Sequence, residues 1–345
     1  MKRICQNSAT YLPLSRIYQL ANHGLLRYRY RLDREAVRTK MNLFRGGPFQ
    51  ENRMKIMGTG VRILPMHLKK THRLAAAVLF ACLGFSLPAS AGRVEPLPNA
   101  SWGRLLTEFV SDGRVDYEKI KQHPDLLQQS IREFAGISRQ TYGEWDRKRQ
   151  IAFWINAYNL FTIEAIVDKY PPKGWNLLYP KVSIRQIGGI WEKTVYRTAG
   201  QVVSLGQIEH AILSGVFKEP RTHFALVCAS LGCPPLSPIP YEGETLEQML
   251  DQQARKYLAD LEHGLRWDAE RRTLYLSQIF SWFGKDFFYY FTIHKLFQDL
   301  PPEKSYSLNF IWEYIPDELK KSLTEGAFRI EYMAYDWSLN DLHAS

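Results

Sequence analysis

The chain has 345 residues, with 45 Lys and Arg against 35 Asp and Glu and a formal net charge of +10. The surplus sits at one end: residues 1–91 hold 16 of the basic and 3 of the acidic residues, leaving 29 and 32 for 92–345, a net of −3. That distribution excludes a polyanion-binding body, so no nucleic-acid partner is expected, and a composition 45% hydrophobic and 13% aromatic excludes a disordered one.

In chain order, the first landmark begins at Met66. A basic stretch, MHLKKTHR, precedes the apolar run LAAAVLFACLGFSLP and the small residues Ala89-Ser90-Ala91. This is the layout of a secretory signal peptide, residues 66–91, starting at Met66 and cleaved after Ala91. The run is too short to span a bilayer and stops at Pro88, and Leu79 to Cys82 fits a lipobox poorly because of Phe80. A secretion signal works at a nascent N-terminus, so residues 1–65 read as an over-extended gene start, disordered. A periplasmic or secreted protein is thus expected, with 92–345 as a single globular domain and no membrane span in the mature chain.

Within that domain, Asn99 or Ser101 caps a first helix that ends at Ser111-Asp112-Gly113, and a second helix runs from Pro124 through Phe134. Residues 144–170 form the strongest helix. Phe153, Trp154, Ile155, Tyr158, Leu160, Phe161 and Ile163 make it apolar on nearly every side, as in a buried central helix. Two polar exceptions, Asn156 and Asn159, lie three apart and share a face. Residues 173–203 predict short strands with a hairpin turn at Ala199-Gly200. Ser204 and Gln207 then form a capping box for a helix carrying Glu209 and His210.

The stretch His223–Pro235, HFALVCASLGCPP, reads as a buried strand 223–228 delivering Cys228 to a loop that carries Cys233. Thr245 and Gln248 predict a second capping box, opening a helix that ends at Gly264. A hairpin spans 265–277, an aromatic helix 277–297, a helix 308–323 interrupted at Pro316, and a last strand alternates Phe328, Ile330 and Tyr332. The fold class expected is α+β: a single mostly helical domain around a small, largely antiparallel sheet.

The candidate chemistry centres on Cys228. A cysteine nucleophile works as a thiolate, commonly with a histidine base oriented by a third group. In a regular strand His223 and Cys228 face opposite sides, which favours His210 as the base, with Asn156, Asn159, Glu209 or Asp336 orienting it. A plainer reading stands beside this one. In an oxidising compartment Cys228 and Cys233 form a disulfide staple, His210 is a core histidine, and the two asparagines bond to a neighbouring loop. No dinucleotide, P-loop or HExxH motif is present and no second paired-ligand spacing accompanies the cysteines, so no cofactor and no metal are expected. The ligand is left as an unknown small molecule or peptide, and the oligomeric state is open.

Four ordered blocks, WINAYNLFTIEAI (154–166), SLGQIEHAIL (204–213), HFALVCASLGCPPL (223–236) and YDWSLND (335–341), resemble the domain-of-unknown-function 547 family over roughly 101–341. The resemblance implies an exported bacterial protein or a part of a larger plant protein, and carries no catalytic residue over. Its blocks contain Asn156, Asn159, Glu209, His210 and Cys228, which points to a common pocket. Two functions are therefore expected as rivals: a cysteine-dependent hydrolase or acyl/amide transferase, and a non-catalytic binding or scaffolding domain.

Overall fold

The computed structural model describes residues 95–174 and 176–343, which all belong to one of the chain's two units, Ala91–Ser345. The expectations for residues 1–65 and for the signal peptide 66–91 lie outside the described residues. Helix α1 (Asn99–Phe109) leads into a hairpin of β1 (Val110–Ser111) and β2 (Arg114–Val115). Its turn residues, Asp112 and Gly113, both have positive φ, the geometry that Asp-Gly accepts most readily. Helices α2 (Tyr117–Gln122), α3 (Asp125–Gly136) and α4 (Arg139–Glu144) then wrap the central α5 (Arg147–Lys169). The Asp146 carboxylate caps α5 by accepting from the Arg149 N–H at 2.9 Å, so the helix starts three residues later than its periodicity predicts.

A second hairpin pairs β3 (Val195–Thr198) with β4 (Gln201–Ser204) through the predicted Ala199-Gly200 turn. The Ser204–Gln207 capping box forms reciprocally: Gln207 N–H donates to Ser204 Oγ at 3.2 Å, and Ser204 N–H to Gln207 Oε1 at 2.8 Å. What it opens is a π-helix, Gln207–Phe217, rather than an α-helix. The remaining elements are α6 (Leu246–Leu258), β5 (Leu265–Asp268), β6 (Thr273–Leu276), α7 (Gln278–Trp282), α8 (Phe288–His294), α9 (Pro302–Ile311), α10 (Asp317–Thr324) and β7 (Arg329–Tyr332). The aromatic helix expected over 277–297 is broken by a 3-10 turn at Gly284–Phe287. The second capping box also fails, because Thr245 Oγ1 donates to the Met249 sulfur instead of serving the helix end.

The class is α+β, as expected, but the one small sheet resolves into three: β1–β2, β3–β4 and β5–β6–β7. Only the β6–β7 pair is parallel among these strands. The strands are two to four residues long, all but β7 pair as local hairpins, and the packing is left to the helices.

Two apolar cores meet at the cysteine segment. One surrounds α5, 16 of whose 23 residues are buried. The other packs α6, β5–β6 and α7–α10 around Phe224, Phe280, Phe287 and Phe310, with Phe224 stacked on Phe310 at 5.3 Å. Phe224 belongs to the second core, and Ala225, Leu226 and Val227 to the first.

The predicted strand 223–228 does not form. Residues Pro220–Phe224 are a 3-10 turn, and the chain then runs irregularly through Cys228. The apolar run is buried as expected, but its backbone is satisfied by a side chain rather than by a neighbouring strand. Asn159 Nδ2 donates to Ala225 O at 2.9 Å, and Asn159 Oδ1 accepts from Val227 N–H at 2.9 Å. One turn earlier, Asn156 holds both backbone groups of Tyr241 in the same way, at 2.8 and 3.0 Å. A carboxamide carries both donors and an acceptor, which a buried backbone outside any sheet requires.

Replacing Asn159 with Ala leaves a buried C=O and a buried N–H without partners. The expected loss is about 2–4 kcal/mol of unfolding free energy, read by urea denaturation. A change below about 0.5 kcal/mol, the usual range for inconsequential substitutions, would show that the amide does not hold this loop.

Candidate functional site

Past Val227 the chain turns sharply. Ala229 has φ of 59°, a left-handed conformation costing a non-glycine residue on the order of 1 kcal/mol. The turn folds the Cys228–Cys233 segment back on itself, so that the Cys228 N–H donates to the Cys233 sulfur at 3.0 Å. Both cysteines are free thiols, Cys228 half-buried and Cys233 buried.

The other wall of this site is the C-terminal tail, which zips onto the loop. Leu231 N–H donates to Ser338 O and Gly232 N–H to Asp336 O, both at 2.9 Å, while Asn340 N–H donates to Ala229 O at 3.2 Å. The approach is close enough to require glycine at 232, where a Cβ would stand 2.9 Å from the Asp336 nitrogen. The zipper sets Tyr335 over the sulfurs. Its hydroxyl donates to Cys233 Sγ at 3.1 Å, lies 3.4 Å from Cys228 Sγ, and accepts from Ser230 Oγ at 3.1 Å. Ser230 Oγ is also 3.1 Å from Cys228 Sγ, which closes a ring of two sulfurs and two hydroxyls.

This ring holds one negative charge well and a second one badly. Burial alone pushes the Cys233 thiol up. Hydrogen bonds from the Cys228 thiol, the Tyr335 hydroxyl and the Cys228 N–H more than offset it, bringing Cys233 down to about 7. Cys228 is held well above the ordinary range, first because its proton serves the Cys233 sulfur and then through burial. The pair therefore loses its first proton readily and its second with difficulty. Three tyrosines nearby, Tyr117, Tyr158 and Tyr335, are pushed up by burial and by the cysteines' charge, and so remain neutral donors.

The residues singled out in the sequence divide between two groups. Asn156 and Asn159 are buried supports of the loops rather than groups facing a reactant. Glu209 accepts from Tyr158 Oη at 3.2 Å, on a tyrosine whose titration the cysteines influence. His210 is exposed and its ring is 6.0 Å from that of Phe283. Phe283 stacks more closely, at 4.0 Å, on His223, whose Nε2 is 2.9 Å from Asp286 Oδ2. Asp336 caps the Ser338 N–H at 2.8 Å.

No hydrogen bond joins Cys228 to a histidine among the described residues; its side-chain partners are Ser230, Tyr335 and Cys233. The strand-parity argument against His223 lapses with the strand itself. Tyr335 escaped sequence reasoning because it is 102 residues from Cys233; the resemblance of the 335–341 block was its one signal. Among the described residues, no cluster of three or more His, Cys, Asp or Glu side chains is arranged to hold a metal ion, and no helix is long and apolar enough to cross a membrane.

The thiolate is the species that alkylates, so its rate of reaction with iodoacetamide should rise with pH through the first deprotonation of the pair, near 7. Tyr335→Phe removes a donor to that thiolate and should move the midpoint upward, toward about 8.5, the value of an unperturbed thiol. A wild-type midpoint at or above that value, or one indifferent to Tyr335→Phe, would contradict the assigned role of the ring.

The family model described as "Protein of unknown function, DUF547" matches residues 142–258, from the end of α4 to the end of α6. The match contains Asn156, Asn159, Glu209, His210, Cys228 and Cys233 and ends before Tyr335. No curated protein and no solved structure matches the chain. Over residues 142–258, about a third of its length, the chain is similar to the DUF547 family.

Proposed function

We propose that this is an exported domain whose Cys228–Cys233 pair works as a dithiol/disulfide couple, exchanging electrons with disulfide-bearing thiol compounds or proteins. The observation that carries the reading is the shared Tyr335 hydroxyl, within 3.1 and 3.4 Å of the two sulfurs, beside a half-buried Cys228. Cys233 is the more acidic sulfur, and transfer of the Cys228 proton to it frees Cys228 as the attacking thiolate. Cys228, the more accessible, attacks a substrate disulfide, forming a mixed disulfide and releasing one substrate sulfur as thiolate. Cys233, buried behind it, then attacks Cys228, closing the protein disulfide and releasing the second substrate sulfur. The substrate gains two electrons, and the two protons of the protein's thiols end on its two sulfurs. The reverse reaction oxidises a dithiol substrate. Export agrees with this chemistry, since the couple is useful where disulfides persist, and the signal-like segment 66–91 supports it.

Acyl or amide transfer with Cys228 as nucleophile and His210 as base is the second reading. It draws on the Tyr158–Glu209 hydrogen bond, which ties the residue before His210 to a tyrosine that responds to the cysteines. It would require a contact between His210 and Cys228 in place of those made by Ser230 and Tyr335.

One set of variants separates these readings. Reduction of an exposed protein disulfide such as that of insulin, followed by turbidity, should be abolished by Cys228→Ser and by Cys233→Ser, and should survive His210→Ala. Hydrolysis of a thioester that survives Cys233→Ser and is lost in His210→Ala would replace the redox reading with acyl transfer. Loss of neither activity in either cysteine variant would leave the pair a structural feature.

A further inference from the structure

Two of the half-buried arginines among the described residues, Arg221 and Arg185, have contrasting surroundings. Arg221 is 11% exposed in its side chain and meets three carboxylates: Glu219 at 2.8 Å, Asp251 at 3.0 Å and Glu247 at 2.5 Å. It shows how this fold neutralises a guanidinium it takes out of water. Arg185 receives no such treatment. Its carbon lies 4.7 Å from the centroid of Tyr179, 4.8 Å from Trp337 and 5.4 Å from Trp191, and one nitrogen donates to Tyr179 Oη at 2.7 Å. It forms no ion pair with the described residues.

Aromatic faces favour a cation but accept nothing from its in-plane N–H groups. A guanidinium has five such donors, arranged to meet a carboxylate two at a time. The rings fix Arg185 in place, and the tyrosine oxygen occupies one edge of it.

The same rings lead to the thiols. Trp337 packs on Tyr335 at 4.6 Å between centroids, and Trp282 lies 4.8 Å from Tyr335 and 5.8 Å from Trp337, stacked on the latter at 30°. Trp282 is 43% exposed, a high value for the largest apolar side chain. A chain of tilted aromatic rings, 53° between Tyr335 and Trp337 and 55° between Trp282 and Tyr335, thus leads from Arg185 to the tyrosine that bonds both sulfurs.

We propose that these residues bind a planar carboxylate, its flat group stacked on the exposed Trp282 and its carboxylate on the guanidinium of Arg185. This assigns the substrate class of the thiol site, and to that extent rests on the dithiol reading; the binding itself does not.

Two measurements test it. In the first, 4-nitrobenzoate and its neutral analogue 4-nitrobenzamide are titrated into the full chain and quenching of tryptophan fluorescence is followed. The acid should bind about tenfold more tightly than the amide, the worth of one charge-assisted hydrogen bond. Arg185→Gln should erase the difference, Arg185→Lys should keep part of it, and Trp282→Ala should weaken both ligands alike. Circular dichroism of the variants identifies any that fail to fold, and the wild-type comparison of acid with amide stands without them. Equal affinities for acid and amide, or a preference that survives Arg185→Gln, would overturn the proposal.

In the second, thiol exchange is timed with 5,5′-dithiobis(2-nitrobenzoate), an aromatic carboxylate disulfide, and with neutral 4,4′-dithiodipyridine. Arg185→Gln should slow the first by about tenfold and leave the second unchanged. Exchange with both reagents and no charge preference removes the carboxylate site and leaves the dithiol reading standing. Acid-selective binding in a protein whose cysteine variants keep full reductase activity does the opposite.

Discussion

The structure depends on a pair of amide groups. A buried run such as Ala225–Val227 has backbone donors and acceptors that must bond to something, and strand pairing is the usual answer. Here the neighbour is a helix, which has no free backbone groups along its side. Asn159 supplies the missing donor and acceptor from its side chain, and Asn156 does the same for Tyr241. Because each amide bonds both a backbone C=O and a backbone N–H of its loop with fixed polarity, it sets the position of the loop as well as its energy. Aliphatic burial of Leu226 and Val227 would allow many positions; the amide allows one.

That freedom from a sheet is what makes the cysteine arrangement accessible. In a regular strand the backbone N–H of Cys228 would be engaged in a ladder. In this loop it turns inward to the Cys233 sulfur at 3.0 Å. The strained Ala229 and the bare Gly232 let the chain double back and the C-terminal tail come into backbone contact. Burial would by itself disfavour a thiolate. The donors gathered here, an N–H, a thiol and a tyrosine hydroxyl, reverse the sign for one sulfur of the pair and not for the other. The asymmetry comes from the proton count, since each hydrogen bond can point one way at a time.

Much of the architecture was legible locally. The hairpin turn Ala199-Gly200, the Ser204–Gln207 box and the all-round apolar α5 each rest on residues within one turn of one another, and each formed. The misread elements have non-local causes. A strand was the natural reading of 223–228, because nothing within that segment reveals an asparagine 68 residues upstream of Val227. Thr245 was a sound cap in sequence terms, until Met249 offered its hydroxyl a different partner. For the site, Cys228 and the polar pair on α5 stood out as chemical exceptions on apolar elements, whereas Tyr335 and Ser230 are ordinary residues until the tail is folded. The pairing of His223 with Asp286 across 63 residues was hidden for the same reason.

The family match and the chemistry do not share an edge. Residues 142–258 contain both cysteines and both asparagines, and so contain the means to place the loop. The tyrosine that bonds both sulfurs comes from the tail, together with Trp337, while Trp282 comes from the helix after β6. The matched segment thus builds a pair of adjacent thiols, and the segments after it decide how easily the pair ionises and what can lie beside it. Tyr335 lies where these roles join: its hydroxyl belongs to the sulfurs, its ring to the aromatic surface, and its position to the backbone bonds that Asp336 and Ser338 make with the cysteine loop. Changes in the tail can therefore alter thiol reactivity while every residue of the matched segment stays the same.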